Sequence, residues 1–187
     1  MSAYYESSRP QSFDEDVLLV ERVLAGDQEA FQALYARYHD KVFSIARGIL
    51  LESEEASDAV QEIFTLVYRN LNRFDRRSKF STWLFRIAVN RSIQQARRIK
   101  NRRHDVSLTE AYDRAMPMDE DTSEEPEVAE AMGRLHPADR AILTLFYWDQ
   151  LNLNEIAESM DCSANAAKTR LFRARERFRT IYDEITR

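Results

Sequence analysis

The stretch NLNEIAESMDCSANAAKTRLFRAR, residues 152–175, carries two helices and the turn between them. Asn152 followed by Glu155 is a capping-box spacing, in which the amide takes up first-turn N–H groups and the carboxylate reaches back to the cap. Ile156, Ala157 and Met160 recur at helical spacing and predict a short helix with one buried face. Asp161-Cys162-Ser163 interrupts it, and Ser163 supplies a second cap. Ala167, Leu171, Ala174, Phe178, Ile181 and Ile185 then line one side of a long final helix. Its other side shows Asn165, Lys168, Thr169, Phe172 and Arg173. A short helix, a brief turn and a second helix form the helix-turn-helix plan, whose second helix offers its N-terminal residues to the DNA major groove. Lys168 and Arg173 suit guanine edges or phosphates, and Thr169 and Phe172 suit a thymine methyl. Arg175, Arg177 and Arg179 are expected near the DNA backbone. The same pattern fits an ordinary helical hairpin with a basic outer face, but Phe172, a large apolar residue off the buried stripe, favours DNA.

Working outward, Glu127 to Leu135 is helical in pattern, and Pro137 suits the first turn of another helix. Ala141, Ile142, Leu145 and Phe146 give that helix its apolar stripe. Residues 127–187 are thus a small helical domain. Residues 104–126 lose periodicity and become acidic, with Ser, Thr and Pro, the composition of a flexible linker. Upstream, residues 14–103 read as a second helical domain, preceded by a mobile tail over 1–13. Asp14 is the expected cap of its first helix, with Val17, Leu18 and Leu24 as apolar positions. Asp27 caps the next helix, through Phe31, Leu34, Tyr35, Tyr38, Val42, Ile45 and Ile49. Ser53 caps a third, whose stripe is Ala56, Val60, Ile63, Phe64, Val67 and Leu71. Its opposite face carries Asp58, Gln61, Glu62 and Thr65. The segment Asp75-Arg76-Arg77-Ser78-Lys79 breaks the pattern, and Ser81 caps a fourth helix through Trp83, Leu84, Ile87 and Ala88 to about Arg98. The fold class is all-α: two small helical domains on an acidic linker, with a C-terminal helix-turn-helix.

The formal net charge of −5 argues against a nucleic-acid binder until its distribution is read. Residues 69–103 hold twelve Arg and Lys against one acid, Asp75, whereas residues 119–130 hold seven acids and no base. The last 25 residues carry seven bases against three acids. Two basic blocks on either side of an acidic one imply two polyanion-binding surfaces and a connector that avoids them.

Other classes are disfavoured. His39, His104 and His136 stand alone, no Cys/His metal spacing or Gly-rich phosphate loop occurs, and neither catalysis nor a cofactor is expected. The single Cys162 cannot close an internal disulfide, and there is no apolar run near 18 residues, so a cytoplasmic protein with no membrane insertion is expected.

Both domains resemble the extracytoplasmic-function sigma factors of bacterial RNA polymerase. The matching runs, in order, are Leu19-Val20-Glu21-Arg22, Gly26-Asp27-Gln28-Glu29-Ala30-Phe31 and Asp58-Ala59-Val60-Gln61-Glu62-Ile63-Phe64. They continue through Lys79-Phe80-Ser81-Thr82-Trp83-Leu84-Phe85-Arg86-Ile87-Ala88-Val89-Asn90. After the linker come Leu151, Glu155-Ile156-Ala157 and Lys168-Thr169-Arg170-Leu171-Phe172-Arg173-Ala174-Arg175. The resemblance implies that residues 14–103 are like sigma region two and residues 127–187 like region four. It implies partners as well: core RNA polymerase, promoter DNA in double- and single-stranded form, and an anti-sigma factor. Asp58, Gln61, Glu62 and Thr65 would face the polymerase. Arg76, Arg77, Ser78 and Lys79, with Trp83, Arg86, Asn90 and Arg97, would hold the melted minus-ten element. Asn165, Lys168, Thr169, Arg170, Phe172, Arg173 and Arg175 would read the minus-thirty-five element. In place of the Gly often found in the family's turn this chain has Asp161, which tolerates a left-handed backbone. A stand-alone helix-turn-helix regulator is the alternative; it would bind specific DNA without polymerase.

Overall fold

The computed structural model describes residues 11–107 and 125–187, and all regular structure among them is helical. Four helices form the first domain: α1 (Gln11–Leu24), α2 (Gln28–Leu50), α3 (Ser53–Asn70) and α4 (Phe80–Ser107). Four more form the second: α5 (Pro126–Arg134), α6 (Pro137–Leu143), α7 (Leu153–Ser159) and α8 (Ala164–Ile185). A 3₁₀ turn at Leu71–Arg73 follows α3, and a π-helical turn at Thr144–Trp148 continues α6. Of the expected tail, residues 1–10 lie outside the described residues, as do 108–124 of the expected linker. Among the described residues no helix is long and apolar enough to cross a membrane.

Asp27 caps α2 as its side chain accepts from Glu29 N at 3.0 Å and Ala30 N at 3.2 Å. Leu34, Val42, Ile45 and Ile49 of α2 are buried against Ala56, Val60, Ile63, Phe64 and Val67 of α3 and Leu84, Ala88 and Val89 of α4 in one core. The stripe predicted for α3 is buried in full.

The start of each domain-one helix other than α2 departs from expectation. α1 begins at Gln11, so Asp14 lies within the helix, not at its cap position, and residues 11–13 are not tail. Leu18 and Leu24 are exposed, and the buried positions of α1 among residues 15–24 are Val20 and Asp16, one turn apart. A carboxylate enters the core there because Arg37 Nη1 donates to Asp16 Oδ1 at 2.6 Å and the Tyr38 hydroxyl donates to Oδ2. Burial and the Asp16 contact push the Tyr38 hydroxyl's pKa up. Ser53 is the first residue of α3, with Glu52 at the cap position, and its hydroxyl accepts from Arg47 Nε at 3.0 Å. Ser81 is likewise inside α4: the first helical bond runs from Trp83 N to Lys79 O at 3.1 Å. At Ser53 a tertiary partner takes the side chain that local capping rules would have used. α4 runs on to Ser107, well past Arg98, because a mostly polar sequence carries no apolar period to mark a helix end.

The phase of α3 can be tested with neighbouring residues. Ile63, fully buried, should cost about 2–5 kcal/mol when cut to alanine. Leu66, 36% exposed, should stay within about 0.5 kcal/mol. Urea midpoints of Ile63→Ala and Leu66→Ala measure both, and equal losses would put α3 in the wrong rotation.

Candidate nucleic-acid interface

The helix-turn-helix forms as its residues predict. Asn152 Oδ1 accepts from Asn154 N at 3.0 Å and Glu155 N at 3.1 Å, and Glu155 Oε2 accepts from Asn152 N at 3.2 Å, so the capping box is closed. Asp161 takes φ 50°, the left-handed turn conformation, and Ser163 Oγ accepts from Ala166 N at 3.2 Å to start α8. Ala167, Leu171 and Ala174 are buried. Asn165, Lys168, Thr169, Phe172 and Arg173 are exposed, Phe172 by 64%. A ring that open beside two cations is a surface without an intramolecular partner for its apolar area.

Three arginines of α8 depart from a uniform DNA-facing row. Arg170, two residues from Phe172 and so on the opposite side of the helix, lines a groove with Leu135, His136, Met160 and Ile181. Arg175 lies over the rings of Phe146 and Tyr147, at 4.8 and 5.3 Å from their centroids. Arg177, expected near the DNA backbone, instead grips Asp139 with Nη1 at 2.8 and 2.7 Å from its two oxygens, fixing α8 to α6.

In the first domain, Arg76 sits at φ 61° in the loop after the 3₁₀ turn, and Arg77 N donates to Asp75 Oδ1 at 3.1 Å, tightening the bend. Each cation of the loop touches a carboxylate: Arg76–Glu21 at 2.8 Å, Arg77–Asp75 at 3.3 Å and Lys79–Glu155 at 3.1 Å. Such exposed pairs hold little energy, so phosphates can replace the carboxylates. Arg86, Asn90 and Arg97 are exposed along α4. Trp83 is not: it is 8% exposed, with its ring 5.6 Å from Phe74 and 5.9 Å from Phe80. In this arrangement it packs beneath the loop against Phe74 and Phe80.

On α3, Asp58, Gln61, Glu62 and Thr65 form one exposed face at i, i+3, i+4 and i+7. Glu62 is bound by Arg91 of α4, and Thr65 Oγ1 donates to Gln61 O at 2.8 Å.

The two domains pack together, which the sequence did not reveal. Asp149, 4% exposed in the second domain, accepts from Ser44 Oγ at 3.1 Å and pairs with Lys41 Nζ at 3.2 Å, both on α2. Lys41 Nζ also donates to Asp149 O at 2.8 Å. Burial pushes the Asp149 carboxyl up, against the pull of Lys41 and Ser44. Gly48 of α2 meets Thr144, whose hydroxyl would lie 2.3 Å from any Cβ added there. A cleft of about 380 Å³ remains between the domains, with Arg73, Arg77, Ser78, Trp83 and Arg86 on one wall and Ala157, Glu158, Asp161 and Cys162 on the other. His136, on the second domain, is held below its usual pKa by burial and by Arg97 of α4. One signal of this contact was present in the sequence: Gly48 in mid-helix, costing about 1 kcal/mol against Ala, calls for a packing reason. Among the described residues no cluster of His, Cys, Asp or Glu could hold a metal.

Comparison with known proteins bears directly on these surfaces. Residues 34–103 match the Sigma-70 region 2 family and residues 126–178 the Sigma-70 region 4 family. The ECF RNA polymerase sigma factor SigW of Bacillus subtilis is 34% identical over 173 residues, covering 86% of this chain and 92% of SigW. The chain belongs to the extracytoplasmic-function sigma factors. The ECF RNA polymerase sigma-E factor of Escherichia coli K12 is 37% identical over 174 residues, covering 86% and 91%. Among solved structures, CnrH in complex with the cytosolic domain of CnrY superposes with TM-score 0.68 at 24% identity, covering 91% of this chain and 99% of that one. The Bartonella quintana RpoE, solved with the anti-sigma factor NepR, gives 0.61 at 18% identity, covering 82% and 96%. These two share the fold of this sigma factor. As a member of the family the chain is a transcription initiation factor, not an enzyme.

The turn of the helix-turn-helix gives a stability test. Asp161→Gly should be neutral or stabilising at φ 50°, whereas Asp161→Val should lose about 1–2 kcal/mol by thermal melting. Equal melting of the two variants would mean the turn does not need the left-handed conformation.

Proposed function

We propose that promoter-directed initiation is divided among three faces of this chain. The α3 face of Asp58, Gln61, Glu62 and Thr65 docks on core RNA polymerase. The loop Arg76, Arg77, Ser78 and Lys79, with Arg86, Asn90 and Arg97 on α4, holds the unpaired minus-ten strand. Asn165, Lys168, Thr169, Phe172 and Arg173 of α8 read the minus-thirty-five element, with Arg175 at its flank. Residues 14–103 and 127–187 act as the two modules and 104–126 as their connector. The protein works in the cytoplasm, and an anti-sigma factor restrains it.

The single observation that carries this reading is the exposure of Phe172 between exposed Lys168 and Arg173, on a helix whose far side is buried. Base edges need hydrogen-bond donors and apolar contacts together, and this face offers both. The loop serves a different need. A melted strand must be kept from reannealing, and charge held on a rigid scaffold does so through the phosphates while unstacked bases find new partners. The deciding experiment is reconstituted transcription: with purified core polymerase the protein should start RNA at a defined promoter. No start at a promoter that carries both elements would overturn this division of the faces.

Two variants separate the faces. Reversing Asp58 and Glu62 to Lys should abolish core binding while helix content and melting stay near wild type; unchanged core affinity would remove α3 from the interface. Arg173→Ala should lose about 1–3 kcal/mol of binding on the cognate minus-thirty-five sequence only. A uniform loss across sequences, read by competition titration, would make Arg173 a phosphate contact instead.

A further inference from the structure

We propose that Tyr147 and Trp148, together with Arg175, grip the sugar-phosphate backbone at the edge of the minus-thirty-five duplex, beside the base pairs that α8 faces. The proposal rests on the reading of α8 given above and adds to it a second contact that is independent of sequence.

Among the described residues of the second domain, the large apolar side chains left exposed are Tyr147, Trp148 and Phe172. Arg175 joins them into one strip. It lies one turn beyond Phe172 on α8, and its guanidinium sits over the rings of Phe146 and Tyr147 at 4.8 and 5.3 Å from their centroids. The Tyr147 ring in turn lies 6.4 Å from that of Trp148.

The backbone explains why these rings point outward. Asp149 N donates to Thr144 O at 3.0 Å, five residues back, and so closes a π-helical turn, a form that recurs at functional sites. Thr144 and Leu145 are buried in that turn, while Tyr147 and Trp148 stand 52% and 55% exposed. The chain then enters α7, the first helix of the helix-turn-helix, which in such proteins crosses the DNA backbone.

The chemistry of the strip suits that backbone. The Tyr147 hydroxyl and the Trp148 indole N–H are donors with no partner among the described residues. Side chains of this kind favour places where the ring meets apolar atoms and the tip meets a polar group, and deoxyribose and phosphate supply both. Arg175 differs from Arg76, Arg77, Lys79 and Arg177, each of which holds a carboxylate. Rings fix its position without neutralising it, so its charge stays available to a phosphate. Continuity with the α8 face, and donors set beside an unneutralised cation, favour DNA over a protein as the occupant.

Ethylation interference with reconstituted holoenzyme on a defined promoter tests this, because ethylating a contacted phosphate removes its charge and hinders binding. Tyr147→Phe keeps the ring beneath Arg175 and removes the hydroxyl; Trp148→Ala removes the indole. Thermal melting checks that both remain folded, and Trp148→Phe replaces Trp148→Ala should the latter not fold. Expected are the loss of interference at phosphates bordering the minus-thirty-five element and promoter binding weaker by about threefold to tenfold, whatever the bordering sequence. A wild-type interference pattern in both variants overturns the proposal, whatever happens to affinity. Weaker binding of the variants to core polymerase alone overturns it too, since the strip would then dock on protein. Arg173→Ala, measured alongside, keeps the two readings apart. If it leaves binding to the cognate element unchanged, the reading of α8 fails and the proposal with it. If it weakens that binding as expected while the Tyr147 and Trp148 variants keep the wild-type pattern, the second contact alone is overturned.

Discussion

A carboxylate leaves water at acceptable cost only when a cation and hydrogen-bond donors go with it, and Asp149 meets that condition by reaching into the other domain. Lys41 and Ser44 of α2 are its partners. The rest of the arrangement depends on this contact. It brings the π-helical turn at Thr144–Trp148 down onto Gly48, sets α7 against α4, and closes the cleft above Trp83. α2 is accordingly a shared wall: one stripe belongs to the first domain's core and the next stripe to the second domain.

The charges of the chain show the same economy. Its basic surfaces are not bare. Arg76, Arg77 and Lys79 each rest on a carboxylate, and Glu62, on the proposed polymerase face, rests on Arg91. Exposed pairs of this kind are weak and exchangeable, so they keep a basic loop soluble in a chain of net charge −5 without removing its attraction for phosphate. Arg177 of α8 differs from these: its two-oxygen grip on Asp139, itself largely buried, makes it a strut between helices.

Legibility in the sequence followed the range of the interaction. The helix-turn-helix was readable residue by residue because caps, turns and amphipathic stripes act over four or five residues. Asn152, Glu155, Asp161 and Ser163 did what their types do anywhere. The buried stripe of α3 and the exposed face opposite it were equally plain. Helix starts were less so: Ser53 and Ser81 look like caps, yet both lie inside their helices, and Arg47, brought close by the fold, takes the Ser53 hydroxyl. In α1, a buried Asp16 displaced Leu18 from the inner face, since ion pairing to Arg37 is invisible to a hydrophobic count.

By itself, then, the sequence determined the helical class, the helix-turn-helix, the two basic surfaces and the family to which the chain belongs, since all of these rest on residue type and short spacing. Tertiary structure alone decided which of the candidate residues are open to a partner. Trp83 is shielded beneath its loop, Arg170 is turned toward a groove, and Asp149 is joined to a helix more than a hundred residues away in the chain. The reason is physical: exposure and long-range pairing belong to the packed arrangement of helices, and no local periodicity encodes which polar faces two amphipathic domains will turn toward each other.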